Sequence, residues 1–174
     1  MITSAPRIKY GWLRAVLFFI SFFIFIAVFD LIGIAIVSSI TEYSFEEYIS
    51  DTDLLMENKM MLLMMVSQLF GTLFTVWLFQ KFVNRESFTS IGLEFSGYKD
   101  DFVSGLLLGV GLIALGFGTL YIFNFLSVAS IQFSLIDQLF YLSLFAVVSL
   151  NEEIAMRGYI LQNLSSSFNK YIAL

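Results

Sequence analysis

Residues 139–159 read LFYLSLFAVVSLNEEIAMRGY, an apolar run that passes directly into a charged cluster. The cluster holds two adjacent carboxylates, Glu152 and Glu153, and one guanidinium, Arg157. Charges beside or inside a hydrophobic segment are energetically costly, so they mark a functional site by default. The rest of the chain therefore has to provide a setting in which these three charges are tolerated.

The composition is that of an integral membrane protein. Hydrophobic residues make up 59% of the 174 residues and charged residues 13%, with a mean hydropathy of +0.87. Soluble domains average roughly half apolar and a quarter charged residues. The sequence has no cysteine and no histidine. For this chain alone, that excludes disulfides, Ser–His catalytic pairs and two-histidine zinc sites. No basic stripe points to nucleic acid as a partner.

Four apolar segments are long enough to cross a lipid bilayer, which takes about 20 residues. They cover residues 12–40, 60–82, 102–126 and 135–164, and a further apolar stretch starts at residue 168. The sequence therefore predicts an all-α, polytopic transmembrane helix bundle with four spans and the start of a fifth.

The N-terminal segment predicts the orientation of the chain. Arg7, Lys9 and Arg14 lie before or at the start of the first apolar segment, with no acid among them. Such a basic flank predicts a cytoplasmic N-terminus. The apolar segment is about twice as long as that of a signal peptide and lacks a clear small-x-small cleavage site. We therefore expect a retained first span.

Three features outside the cluster admit a structural explanation. Asp30, inside the first span, is either a carboxylate hydrogen-bonded to neighbouring helices or a supporting or ion-path group. Residues 41–59 are rich in acids and contain no glycine, which indicates a solvated outer loop and not a calcium loop. Gly105 and Gly109 form a G-x-x-x-G pair, for which packing within one bundle is favoured over a dimer contact.

Helical geometry assigns different positions to the two carboxylates of the cluster. Residues four apart share a helix face, so Glu153 and Arg157 can form an ion pair. Glu152 points roughly 140° away from Arg157 on a helix that turns about 100° per residue. A buried carboxylate without a partner suits general-base work near neutral pH. The alternative is that all three groups end a span and extend into water.

The cluster also carries a family resemblance. Asn151-Glu152-Glu153-Ile154-Ala155-Met156-Arg157-Gly158-Tyr159 resembles the first motif of the CPBP intramembrane protease family, also called the CAAX-protease, Abi or bacteriocin-processing family. That motif is E-E-x-x-x-R, commonly followed by Gly-Tyr and apolar residues. The polar residues 98–101 and the glycine-rich span after them resemble the family layout too. The resemblance covers residues 91–174, which would be part of a protease domain, whereas residues 1–90 form a two-span region that matches only in hydropathy.

The resemblance implies a function and a role for each charged residue. Glu152 corresponds to the catalytic glutamate that activates water, and Glu153 and Arg157 correspond to its supporting pair. The family fold is all-helical, with an active site below the membrane surface. Its substrates are peptides or proteins at the membrane: prenylated CAAX proteins for eukaryotic members, and bacteriocins and other peptides for bacterial members. We expect an integral protein of a bacterial cell membrane.

The chain departs from the family pattern in one respect. The family has two later motifs, F-x-x-x-H and H-x-x-x-N, each of which supplies a histidine, and this chain has none. We therefore expect a truncated chain that ends at Leu174, before those motifs, and that does not hydrolyse peptides by itself. Whether the complete site uses zinc or a metal-free glutamate mechanism stays open. The rival predictions are a non-catalytic membrane immunity or scaffold protein, and a small transporter subunit with Asp30 and Glu152 on an ion path.

Overall fold

The computed structural model describes residues 5–51, 53–54, 58–92, 97–130 and 133–173, apart from the side chains of residues 58, 59, 170 and 173. In these ranges the chain is helical, and no strand occurs. Four helices are long and apolar enough to cross a membrane: Gly11–Ser38, Met60–Asn84, Lys99–Ile122 and Leu135–Ser165. The prediction of an all-α bundle with four spans is confirmed.

Each span lies close to its predicted range, but two of them change their winding. The first span is helix α1, Gly11–Ser38, and the short helix α2, Phe45–Ser50, follows it. Helix α3, Asn58–Phe79, continues as a first π-helix, Gln80–Asn84, and a 3-10 helix, Phe88–Ile91, comes next. The third span is α4, Lys99–Ile122.

The fourth span is the predicted long helix, wound in three parts. It starts as α5, Leu135–Glu152, continues as a second π-helix, Glu153–Leu161, and ends as α6, Gln162–Ser165. A π-helix closes i→i+5 hydrogen bonds and usually occurs only as a single turn, often at functional sites. The short helix α7, Lys170–Ala173, lies in the predicted start of a fifth span, and Leu174 lies outside the described residues.

The chain forms two compact units. The first comprises Met1–Gly92 and Leu139–Leu174, so it contains α1, α3 and most of the fourth span. The second comprises Leu93–Gln138 and contains α4. The predicted division at residue 90 concerned a family domain and stays a prediction. The observed units do establish that the charged cluster belongs to the same compact unit as the first two spans.

Helices α1 and α3 pack closely because small residues lie at their contact. A Cβ built on Gly71 would lie 3.2 Å from the Cα of Ile26 and the backbone oxygen of Phe25. A Cβ on Gly33 would collide with the hydroxyl of Ser67. In lipid, where apolar burial between helices gains little, such close backbone approach is what holds helices together.

The end of the fourth span packs against the start of α1. A Cβ on Gly11 would overlap the backbone oxygen of Asn163 and the hydroxyl of Ser166. The backbone N–H of Trp12 donates to Ser167 Oγ at 3.1 Å, which satisfies one of the free N–H groups at the start of α1. Ser167 therefore caps the start of a helix at a residue that lies 155 positions before it in the chain.

A buried polar network ties the same ends together. Asn84 Oδ1 accepts from Arg14 at 3.0 Å and from the hydroxyl of Tyr159 at 3.2 Å. Asn84 Nδ2 donates to Gln80 Oε1 at 2.6 Å, and Arg14 also donates to Ser166 Oγ at 3.1 Å. Each residue of this network except Ser166 is buried. The network joins α1, the first π-helix and the end of the fourth span.

The contacts given for helix α4 are those within its own unit. Asp100 and Asp101 lie in its first turn, where carboxylates interact favourably with the helix dipole. Around Gly105 and Gly109, the described residues of this unit place no heavy atom within 4 Å of a built Cβ. The interpretation of this pair as a packing motif within the bundle therefore stays a prediction.

The sequence predicts a loop at residues 41–59, but the structure has the short helix α2 within this segment. Ser44 caps α2 by accepting from Glu47 N at 3.3 Å, and Ser44 N donates to Glu47 Oε2 at 2.6 Å. This reciprocal capping box has the sequence signature S-x-x-E, which is present at Ser44–Glu47. The hydrogen bonds from the backbone and then the side chain of Ser44 lower the pKa of the Glu47 carboxyl.

We expect Gly11→Ala to destabilise the protein, because the new methyl group would collide with a backbone oxygen. Overpacking of this kind typically costs about 1–3 kcal/mol. Unfolding of the purified protein in mixed micelles measures the loss. Gly116→Ala is the matched control, since it adds the same methyl group to α4 at a position where the described residues of that unit place no heavy atom within 4 Å of a built Cβ. Equal stability of both variants would contradict the close contact at Gly11.

We expect helix α2 to lose protection in acid. Because the pKa of Glu47 is lowered in the folded state, its contribution to stability is complete above the ordinary glutamate pKa of about 4.3 and is lost as the pH falls below it. Hydrogen-exchange protection factors of the α2 amides, measured between pH 6 and pH 3, test this. Glu47→Gln should abolish the pH dependence, and Glu46→Gln should leave it intact. The same pH dependence in both variants would contradict the assignment.

Candidate functional site

The charged cluster lies on one face of the fourth span. Glu152, Glu153, Met156 and Arg157 are exposed, whereas Ile154, Ala155, Gly158 and Tyr159 are buried against the bundle. Each set consists of two pairs of adjacent residues, and the second pair follows the first by four residues. The second π-helix therefore presents one charged stripe and one buried stripe along the same nine-residue segment.

The buried stripe is held mainly by Tyr159. Its side chain is fully buried, and its ring stacks on Phe18 with centroids 4.2 Å apart. Phe79 packs edge-on against the same ring at 5.7 Å. Gly158 leaves room for Ile91, whose Cβ would be 3.4 Å from a methyl group at position 158. The aromatic contacts fix the rotation of the π-helix, and hence the direction of the charged stripe.

The predicted ion pair is confirmed. Arg157 Nη1 lies 3.2 Å from Glu153 Oε1, with 75% of the arginine side chain and 51% of the glutamate side chain exposed. No other ion pair occurs among the described residues, so Glu152 is outside any such pair there. Within the described part of the chain, Glu153 pairs with a cation and Glu152 does not. Glu152 is nevertheless exposed on the same face as Arg157, so the prediction that it points to a different, buried wall is wrong, because the π winding brings residues 152 and 157 to one face.

Asn151 anchors the cluster on α3, a contact that the sequence did not reveal. The fully buried hydroxyl of Thr72 donates to Asn151 Oδ1 and also contacts the backbone oxygen of Gln68 at 3.0 Å. The residue directly before Glu152 is thus fixed to the second span. Polar residues of two apolar segments, Thr72 and Asn151, were the available signal, because such side chains form hydrogen bonds between helices in lipid.

Asp30 lies at a separate polar contact of α1 and α3. Gln68 Nε2 donates to Asp30 Oδ2 at 3.3 Å. This is the arrangement expected for a structural carboxylate that faces a neighbouring helix. Asp30 Oδ1 is buried, and the described residues provide no hydrogen bond to it. The structure does not bring Asp30 into an ion pair or a hydrogen bond with Glu152.

The cluster lies well inside the fourth span. Ser166, which packs beside Gly11 at the start of the first span, follows Glu152 by 14 residues. At a rise of at most about 1.5 Å per residue, Glu152 lies roughly 15–20 Å from that end of the bundle. The hydrocarbon core of a bilayer is about 30 Å thick. The cluster therefore lies near the middle of the fourth span, and the alternative in which the charges extend into water stays a prediction.

The residues present do not fit a zinc ion. A zinc site takes three or four side-chain ligands from His, Cys, Asp or Glu. Across the part of the chain that the structure describes, no three such side chains lie together. Within the cluster, Glu152 and Glu153 are the only residues of these types.

Comparisons with known proteins provide no relative from which a role for Glu152, Glu153 or Arg157 could be inferred. No family model matches the chain, and neither a curated protein nor a solved structure matches it.

When the protein is in its membrane, we expect the side chains of the charged stripe to face water. The chain has no cysteine, so single cysteines can be introduced without further changes. Glu152→Cys and Met156→Cys should react with a membrane-impermeant maleimide, because the reactive thiolate forms only where water is present. Leu142→Cys, which is 68% exposed on the same span but in its apolar part, is the control and should not react. If Glu152→Cys were as unreactive as the control, Glu152 would face lipid and could not activate water.

Proposed function

We propose that this chain carries the glutamate part of the active site of a CPBP-type intramembrane endopeptidase, an enzyme that cleaves peptide bonds at the membrane. One observation carries the proposal: Glu153 pairs with Arg157, and the adjacent Glu152 stays outside that pair on the same exposed face. This is the separation of roles that the E-E-x-x-x-R resemblance requires. The depth of the cluster within the span agrees with an active site below the membrane surface.

In this mechanism Glu152 is the general base. Its carboxylate takes a proton from a water molecule while the water oxygen attacks the carbonyl carbon of the scissile peptide bond. The carbon–nitrogen bond then breaks, and the proton passes from Glu152 to the leaving amine, which regenerates the carboxylate. Glu153 pairs with Arg157 and so leaves Glu152 as the carboxylate outside that pair.

The distribution of charge supports a cytoplasmic N-terminus. Arg7 N donates to the backbone oxygen of Val83 at 2.9 Å, so the N-terminal segment lies beside the end of the second span. This end also carries Lys9, Lys81 and Arg85, whereas the segment after the first span is acidic. Basic residues favour the cytoplasmic side. A peptide or protein substrate would then reach Glu152 from the cytoplasm or from within the bilayer.

A second candidate is a non-catalytic membrane immunity or scaffold protein that keeps the protease fold. These 174 residues contain no histidine, so they hold none of the groups that the later family motifs would supply. The buried stripe of the π-helix also gives the motif a structural use, since Tyr159 packs between the first two spans. On this proposal the protein would protect its host by occupying a membrane target, with no bond cleaved.

The decisive variant is Glu152→Gln, which keeps the size of the side chain and removes the base. In the complete natural reading frame that includes these residues, reconstituted in liposomes, we expect peptide cleavage to fall by about 10²–10⁴-fold. Cleavage of a membrane-anchored peptide library, read by mass spectrometry, measures the rate. Glu46→Gln removes the same charge from an exposed position on α2 and should leave cleavage unchanged.

The two candidates give opposite results in a second assay. Cells that express the protein are exposed to membrane-active bacteriocins, and survival is compared between the wild type and Glu152→Gln. An endopeptidase loses both cleavage and protection in this variant. Protection that persists without cleavage supports the immunity protein, and cleavage that persists at the wild-type rate excludes Glu152 as the base.

A further inference from the structure

A cavity lies where α1 ends, at the opposite end of the first span from Gly11. It has a volume of about 430 Å³ and is lined by Val37, Thr41, Glu42, Tyr43, Tyr48, Met60 and Leu63. Small-molecule sites are usually clefts of about 300–1,000 Å³ with apolar walls and a few polar groups. Neither the family resemblance nor the proposed function involves this cavity.

Two tyrosines form an aromatic corner in its wall. The rings of Tyr43 and Tyr48 meet at 74°, with centroids 5.8 Å apart. Tyr48 is buried, and its hydroxyl lies 3.2 Å from Thr41 Oγ1. The Thr41 hydroxyl itself donates to the backbone oxygen of Val37, so the tyrosine hydroxyl is the donor of the pair. Tyr48 is therefore held in place before any ligand arrives, whereas Tyr43 is half exposed.

The charge around the corner is negative. Glu42 lines the cavity, and residues 41–59 contain six acids and a single lysine, Lys59. Glu46, Glu47 and Asp51 lie on or beside α2, which also carries Tyr48. Aromatic faces attract cations through the ring quadrupole, and quaternary ammonium groups are commonly recognised in aromatic cages. An aromatic corner beside a carboxylate therefore favours a cation that carries alkyl groups.

The floor of the cavity is apolar. Val37 belongs to α1, and Met60 and Leu63 belong to α3, so the floor is continuous with the apolar surface of two spans. Met60 packs in one buried cluster with Tyr48 and Ile34. A ligand that fills the cavity would place its charge at the tyrosine corner and a short hydrocarbon chain against this floor.

We propose that this cavity binds the ammonium group of a ligand that also carries an apolar chain. Two sources share this chemistry: the headgroup of a choline or ethanolamine lipid, and a soluble amphiphilic amine. The site is independent of the Glu152 cluster. Its failure in an experiment would leave the proposed endopeptidase function unaffected, and the reverse also holds.

The binding test uses the full chain in nanodiscs of a neutral galactolipid, which offers neither an ammonium group nor a net surface charge. Calorimetry compares butyltrimethylammonium with butanol and butanesulfonate, which keep the tail and change the charge of the head. We expect measurable binding of the ammonium compound only. Equal binding of butanol would overturn the proposal, because the corner and the carboxylate would then contribute nothing.

Matched variants locate the binding. Tyr43→Leu should weaken the affinity by about two- to thirtyfold, the range that a single cation–π contact supplies, and Glu42→Gln should weaken it as well. Tyr43→Phe keeps the ring and Glu86→Gln removes a charge at the other end of the second span, so both should bind as the wild type does. Both positions 42 and 43 are exposed, so the protein should fold normally in these variants. Wild-type affinity in Tyr43→Leu and Glu42→Gln would overturn the proposal.

The lipid source is tested with the same titration in phosphatidylcholine nanodiscs. A lower apparent affinity there means that the lipid headgroup competes for the cavity, which supports a bound lipid as the natural ligand. An unchanged affinity means that the membrane lipid stays out of the cavity and supports a soluble amine. Wild-type protein that binds no ammonium compound in the galactolipid and no choline headgroup in the second membrane would contradict both.

Discussion

The side-chain amide of Asn84 joins the three helices that meet at one end of the first unit. It accepts hydrogen bonds from Arg14 and Tyr159 and donates one to Gln80, so one residue satisfies groups from three segments. A buried polar group without a partner costs about 1–3 kcal/mol in proteins, which makes such a shared centre sensitive to the loss of any member. The position of the fourth span, and hence of the charged stripe, depends on this centre.

The charged stripe inherits its direction from contacts on the other side of the same helix. Tyr159 fixes the rotation of the π-helix through Phe18 and Phe79, and Thr72 fixes Asn151 just before it. The acidic and basic groups themselves make only one described ion pair, which is largely exposed. An exposed pair of this kind contributes at most about 1 kcal/mol to stability. The pair of Glu153 and Arg157 therefore contributes little to holding the fold together.

The sequence predicts the parts of this structure that depend on local composition and spacing. Four spans follow from the length of the apolar runs, and the contact between Glu153 and Arg157 follows from their separation by four residues. The contact of Ser167 with Trp12 joins residues 155 positions apart, and no local pattern marks it. The π winding was also missed, because i→i+5 bonding depends on tertiary packing and not on residue type.

The roles of Glu152, Glu153 and Arg157 stay predictions that rest on resemblance and geometry. The chemistry of a carboxylate depends on the water and the groups that face it, and the amino-acid sequence does not show which groups these are. Helix α2, in contrast, could have been predicted from the sequence, because the capping rule identifies the S-x-x-E signature at its start. The tyrosine corner of the cavity could not have been predicted in the same way, because it depends on how α2 folds back against α1.

The second π-helix separates two fixed points of the chain. Asn151 is attached to Thr72 before it, and Asn163 and Ser166 are packed against Gly11 after it. Nine residues wound with i→i+5 bonds cover less length than the same residues in an α-helix, so this segment stores a small surplus of chain between its anchors. A switch to α-helical winding would lengthen the segment and turn one anchor relative to the other. The register of the fourth span is thus set by how tightly its middle is wound.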